Sequence, residues 1–554
     1  MATIASLPAS ATRSPSELSS AAAADEEKAL SFKGANDDDD SPRTAAKEHE
    51  IVSEVQGPFV KLTNYLKTVG VETRSLERVP EDQRDQVPPP PLSSSLRALP
   101  LIRGVAFHPA DRRLARASLA LRASQIMFWF SVNLSFSCLA TGYLGSLYYT
   151  LDYRTSLAVI YLGVGLGCCV SATMATIGPK TGLRTMAAAR FAGGFPGSAF
   201  MSLLNAVVQI CYAISTAIAG GQALRAIHGC SLAVGIAVLS VVVLVLSIYG
   251  YRFVHYWERW AWIGCFIIYC IVLGLGSRGD YDVTRLTATM DSGRALTGDV
   301  LSFFGIMFSV GSGWTSIAAD YNITLPVETP SWVVWVSSFI GMYLPIVFTC
   351  TTSATFMALS KADYIEAFEN DSLGGVVGHI LTENVGDFGR FLLVLLAFST
   401  VSAQIPNVYS GALCIQAIHP VLLKIPRIFF VLLFTVIYFI CAMVGREHLS
   451  EIVGNFAAIL AYYTAFLASI VFIEIFYFRR KNGPLAGKTN WDDVADYKKL
   501  PPGIACCASI ACTIPVIAMG MSAVWWVGPI AKAVTLPASE YGGDLGACAI
   551  PRRR

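Results

Sequence analysis

Charge is scarce in this chain. Asp, Glu, Lys and Arg together make up 14% of its 554 residues, against 54% hydrophobic residues. With a mean hydropathy of +0.53, that balance excludes an ordinary soluble domain and marks a polytopic membrane protein. The net charge is only +2, and no basic stretch interleaved with aromatics occurs, which excludes a nucleic-acid partner. The 14 cysteines lack the spacing of a zinc site or a disulfide framework; they fall singly or in pairs in apolar runs, as small core residues do. Catalytic constellations are missing too: the apolar runs hold no His and Asp pair, no metal-spaced ligands and no nucleophile beside a base, so neither an enzyme nor a cofactor is expected. No apolar stretch follows the N-terminus, so no signal peptide is expected.

What is present is a series of long apolar runs behind a polar start. Residues 1–120, with the acidic run Asp37 to Asp40 and the proline run Pro88 to Pro91, read as a disordered cytosolic arm, with one short helix around 50–68. Residues 121–478 read as a ten-span transport core, 479–502 as a cytosolic loop, and 503–554 as one more span and a C-terminus. The eleven spans are placed near 125–149, 156–177, 198–224, 231–249, 258–276, 298–319, 331–358, 389–416, 426–444, 449–477 and 503–528. Lys and Arg gather before the first span and in the second, fourth, eighth and tenth connections, which puts the N-terminus in the cytosol; the sixth has none. The acidic seventh connection, 359–388, is expected outside.

The sixth span, LSFFGIMFSVGSGWTSIAADY over 301–321, is interrupted at Gly311-Ser312-Gly313-Trp314. One reading is a broken helix, tolerated in the membrane only where the freed backbone lines a cavity. The other is a pair of packing glycines. The first span decides for the break: it carries Phe130-Ser131-Val132 where the sixth carries Phe308-Ser309-Val310, each followed by a polar, glycine-containing stretch. Paired interruptions at corresponding places are the mark of a transporter built from two repeats.

Five blocks then carry a resemblance: GPKTGLRTMAAARF at 178–191, NAVVQICYAISTAIAGGQALRAI at 205–227, GYRFVHYWERWAWI at 250–263, GSGWTSIAADYNITLP at 311–326 and SAQIPNVYSGALCIQ at 402–416. In order and spacing they resemble the fungal purine-cytosine permease branch of the nucleobase:cation symporter-1 family. The resemblance implies an all-α, LeuT-like fold in which spans 1 to 5 and 6 to 10 form inverted repeats, with spans 1 and 6 discontinuous. It also implies proton-coupled uptake of a purine, cytosine or related heterocycle across the plasma membrane. A twelfth span, which the resemblance also implies, has no counterpart after Gly546, and the end of the chain reads as truncated.

A nucleobase is a flat π-system rimmed by donors and acceptors, so its pocket needs an aromatic face and a few amides or hydroxyls. Trp314 supplies the face, and the resemblance places a substrate-site tryptophan there. Asn407 matches a family asparagine implied to bond the base edge. Ser135 and Ser137 offer hydroxyls beside the irregular first span, and Gly311 and Gly313 free the backbone of the sixth. In the third span the family's tryptophan and asparagine are replaced by Tyr212 and Thr216, still on one helix face. In the eighth, Ala403-Gln404 replaces paired asparagines. An unpaired binding edge costs about 1 to 3 kcal/mol, so a ligand other than cytosine is expected, such as the pyridine of vitamin B6. The eighth span has Val401 beside Ser402 where sodium would need a pair of hydroxyls, so a proton is the expected partner and sodium the less favoured one. A receptor of the same fold that binds without transporting stays open. Two sequons stand apart: Asn370 in the acidic connection, expected outside, and Asn322, expected cytosolic and bare.

Overall fold

The computed structural model describes residues 59–68, 76–81, 84 and 123–535, except 228–229, 250, 288–289, 291, 481, 497 and 524–525. Most of the N-terminal arm and everything after Thr535, including the end that reads as truncated, lie outside the described residues.

The described chain is almost wholly helical. After α1 (Phe59–Thr68) come α2 (Ala123–Asn133), α3 (Phe136–Gly142) and α4 (Leu144–Tyr148), then α5 (Tyr153–Ala175) and α6 (Thr185–Arg225). These are followed by α7 (Leu232–Tyr249), α8 (Tyr251–Gly276), α9 (Gly293–Ser312), α10 (Ser331–Phe356) and α11 (Ala362–Ile418). The series ends with α12 (Arg427–Gly445), α13 (Leu449–Phe472) and α14 (Ile504–Gly520), and the only described sheet is a small hairpin of Ser522–Ala523 with Trp526–Val527. Among the described residues eight helices are long and apolar enough to cross a membrane; a bent pair over 123–148 and two shorter apolar helices, at 232–248 and 504–520, occupy the remaining expected spans. Eleven apolar segments thus stand in the expected order.

The first and sixth spans are both discontinuous. α2 and α3 meet at 64° across Leu134 and Ser135, and Ser135 is extended, with φ −117° and ψ 157°. The break strands the Phe136 amide at a new helix start. Ser399 of α11 accepts that N–H at 3.0 Å, as a helix-capping hydroxyl does. In the sixth span α9 ends at Ser312 and continues as two short 3₁₀ turns, Gly313–Ser316 and Ala318–Tyr321, separated by Ile317 at φ −133°, ψ 2°. Ser171 of α5 donates to the Gly311 carbonyl at 2.8 Å and lies 3.0 Å from the Thr315 hydroxyl, stitching the loosened stretch to its neighbour.

Both readings of the glycine pair turn out to hold, at different residues. α5 and α9 cross in backbone contact: a Cβ on Gly167 would lie 2.3 Å from the Phe308 carbonyl oxygen, and one on Gly311 2.5 Å from that of Val164. Gly311 is therefore a packing residue. The helix loosens one step later, at Gly313, where a Cβ would fall 1.8 Å from the Tyr212 hydroxyl.

Three connections differ from the sequence reading. The acidic stretch 359–388 is helical: α11 runs through it with breaks at Asp371, Ser372 and Gly386, and it buries Leu373, Val376, Val377, Ile380 and Leu381. The positive stretch before the third span is also helical, because α6 begins at Thr185 and kinks at Gly194, with φ +56°. Third, residues 76–81 and 84, counted in the disordered arm, are anchored. Val79 donates to the Gly182 carbonyl at 2.9 Å, and the buried Arg84 guanidinium donates to the carbonyls of Val79 and Pro179 at 3.0 and 2.6 Å. Burying a guanidinium is tolerated only with such partners, so this part of the arm is pinned to the turn after α5.

Candidate substrate-binding site

The two breaks face one cavity, walled as small-molecule pockets are, mostly by apolar and aromatic side chains with a few polar groups. Five elements wall it. The first span contributes Val132, Asn133, Ser137, Cys138 and Thr141; α6 contributes Gln209, Tyr212, Ser215 and Thr216; the sixth span contributes Ser309, Val310, Gly313, Trp314 and Ile317. Ala403 and Asn407 come from α11, and Val453, Phe456, Ala457 and Leu460 from α13. Among the described residues no Asp, Glu, Lys, Arg or His lines it.

Of the nine residues singled out from the sequence, the structure brings six to this wall: Trp314, Asn407, Tyr212, Thr216, Ser137 and Gly313. The other three lie behind it. Gly311 is spent on the α5 crossing. Ser135 is fully buried with its hydroxyl 2.7 Å from that of Ser137. Gln404 points to α6, where its Nε2 donates to the Ala213 carbonyl at 3.3 Å.

Trp314 is held on two sides. Its Nε1 donates to Asn133 Oδ1 at 2.7 Å, and its ring meets Trp129 edge to face, with centroids 5.5 Å apart at 72°. Asn133 in turn donates from Nδ2 to the Trp129 carbonyl at 2.8 Å, so both ends of that amide are committed. This single bond ties the broken first span to the broken sixth. Opposite lies Tyr212, edge to face with Phe456 at 4.8 Å. The wall therefore offers aromatic faces from Trp314, Tyr212 and Phe456, the surface a planar ring needs.

The polar groups divide into committed and open ones. Ser215 bonds back to the Cys211 carbonyl at 3.0 Å, as helical serines commonly do. Asn407 commits Nδ2 to the Ala403 carbonyl at 3.1 Å, and its Oδ1 takes no partner among the described residues. Thr216 lines the cavity too, and its hydroxyl takes no partner among the described residues. Asn133 and Gln209 were not foreseen. Gln209 had a signal, because with Tyr212 and Thr216 it forms an i, i+3, i+7 stripe on α6.

Asp320, at the end of the broken sixth span, caps a neighbouring helix. Its Oδ1 accepts the Thr185 amide at the start of α6 at 2.9 Å, and its Oδ2 accepts the Ser410 hydroxyl at 3.1 Å. A carboxylate belongs at a helix N-terminus, where unpaired N–H groups and the helix dipole both favour it.

Comparison with known proteins identifies the family. A family described as permeases for cytosine/purines, uracil, thiamine and allantoin matches residues 121–536. A purine-cytosine permease of Saccharomyces cerevisiae is 30% identical over 424 residues, covering 76% of this chain and 78% of the relative. A purine-cytosine permease of Emericella nidulans is 29% identical, covering 76% and 80%. A vitamin B6 transporter of Saccharomyces cerevisiae is 28% identical over 465 residues, covering 75% and 79%. Among solved structures, Mhp1, a nucleobase-cation-symport-1 family transporter with bromovinylhydantoin bound, is similar with a TM-score of 0.49 and 16% identity, covering 64% of this chain and 78% of that one. A manganese transporter of Eremococcus coleocola reaches 0.47 with 13% identity, covering 78% and 91%. On the family match and the yeast relative, this chain belongs to the family of membrane permeases for cytosine, purines and related small heterocycles.

Proposed function

We propose that this permease carries a neutral, planar heterocycle of nucleobase type across the plasma membrane, with its N-terminus in the cytosol and a proton as the coupled cation. The observation that supports it most is the cavity itself: Trp314 stapled between the two breaks, amides and hydroxyls at the rim, and no charged side chain among the described wall residues. A charged ligand left unpaired there would cost several kcal/mol, whereas a neutral ring loses little on entering. Ring and tryptophan would then stack, with Asn407 and Thr216 addressing the edge.

The coupling assignment is supported by the eighth span. Val401 stands there beside Ser402, so the pair of hydroxyls that sodium would need is incomplete.

A second reading, a pyridine such as vitamin B6, is favoured by Ala403: the wall bears a methyl there where the family pattern carries an amide. Uptake of radiolabelled adenine, cytosine and pyridoxine by cells expressing the chain, with and without a proton or sodium gradient, tests both readings. Accumulation of adenine above the external concentration, driven by acid outside and indifferent to sodium, is the result the first reading expects; accumulation of pyridoxine instead is the result the second expects. Binding without accumulation would identify a receptor instead.

A further inference from the structure

Gln209 has a buried acceptor with nothing to accept. It lines the cavity and is 1% exposed, yet its Oε1 has no hydrogen-bond partner among the described residues. A buried carbonyl left in that state is costly, and native structures rarely keep one without a use.

The orientation of the amide follows from its neighbours. Asn205 donates from Nδ2 to Cys414 Sγ at 3.0 Å and to the Ser316 carbonyl at 3.5 Å. A carbonyl can only accept, so the Asn205 nitrogen belongs on that side and its Oδ1 faces Gln209. There it meets Gln209 Nε2 at 3.1 Å, which also reaches Ser316 Oγ at 3.3 Å. Turning the Gln209 amide over would press two carbonyl oxygens together. Its nitrogen is locked, and the oxygen is the end left without a partner among the described residues.

We propose that Gln209 Oε1 is a ligand contact that accepts a hydrogen bond from an N–H or O–H on the edge of the bound heterocycle. This rests on reading the cavity as a heterocycle site, and it narrows the ligand class. Gln209 and Asn407 both present an oxygen, because the nitrogen of each is committed to the protein. The wall therefore matches ligands whose edge is rich in donors, such as a ring N–H beside an exocyclic amine, and discriminates against analogues in which those hydrogens are replaced. The locked partners, Asn205 on α6 and Ser316 on the broken sixth span, also mean that the contact is held by the same loosened backbone that presents Trp314.

The test is a cycle between protein and ligand. Whichever of radiolabelled adenine, cytosine or pyridoxine the wild-type chain takes up serves as the probe, and its competitors are analogues methylated at one N–H or O–H at a time. In Gln209→Met, nearly the same in shape but without the oxygen, the parent compound should lose about tenfold or more in apparent affinity. One methylated analogue should lose nothing further, because its missing hydrogen was the one that Gln209 held. Inhibition-constant ratios do not depend on how much protein reaches the membrane; if Q209M does not reach it at all, Gln209→Ala carries the same comparison. Equal losses for parent and every analogue, or no loss for any, would overturn the contact while leaving the transport reading intact. Uptake of none of the three probes by the wild type would overturn both.

Discussion

The residues that decide the chemistry here are fastened before any ligand arrives. Trp314 is bonded through Asn133 and braced by Trp129, so a stacked ring meets a surface whose ordering cost has already been met by folding. Trp314→Ala should abolish saturable uptake, while Trp314→Phe, which keeps a ring but cannot donate to Asn133, should raise KM roughly tenfold with a smaller change in maximal rate. Asn133→Ala should mimic the Phe variant rather than the Ala one, because it frees the indole without removing it; losing one such hydrogen bond corresponds to about 1 kcal/mol. Initial-rate uptake against substrate concentration separates these outcomes.

At the scale of elements, much was legible from residue spacing and some was not. The eleven apolar segments and both interruptions follow from where hydrophobic runs stop and small polar residues begin, and that pattern survives in the structure because lipid leaves the backbone no alternative to helix. What the pattern concealed was helix outside the bilayer. Between 359 and 388 the charges suggested a loop, although Leu373, Val376, Val377, Ile380 and Leu381 already sit at helical spacing. The wall residues of α6 were half legible: Tyr212 and Thr216 came from family pattern, while Gln209, on the same stripe, was overlooked. Gly311 and Gly313 could not be told apart by sequence, since the difference lies in what crosses each of them.

That difference is testable. Gly313→Ala places a methyl against the Tyr212 hydroxyl and should suppress uptake by tenfold or more; adding Tyr212→Phe should restore part of it, a coupling that independent sites would not show. Ser399→Ala uncaps α3 at the first break and should cost about 1 kcal/mol, read as a lower melting temperature of the purified protein.

For the molecule as a whole, the question is which face looks outward. Asn370 is exposed at the end of the first helical piece of α11, whereas Asn322 is fully buried, with its Nδ2 3.4 Å from the Ala175 carbonyl oxygen. If the acidic connection lies outside, a glycosidase should increase the mobility of the wild-type chain, and Asn370→Gln should remove that shift. Asn322 should stay bare whichever way the protein is inserted, because no enzyme reaches a residue packed under α5. Arg84→Ala should loosen the anchored segment of the N-terminal arm, seen as faster proteolysis ahead of α2, without changing substrate ranking.

The Gly167 and Gly311 crossing carries a last consequence. Two rods that touch along bare peptide groups have no cushion of side chains to slide on, so α5 and α9 travel as a single strut. Whatever opens the cavity to one side of the bilayer or the other must flex beyond that weld, at the kinked Ile317 or at the Leu134 and Ser135 elbow.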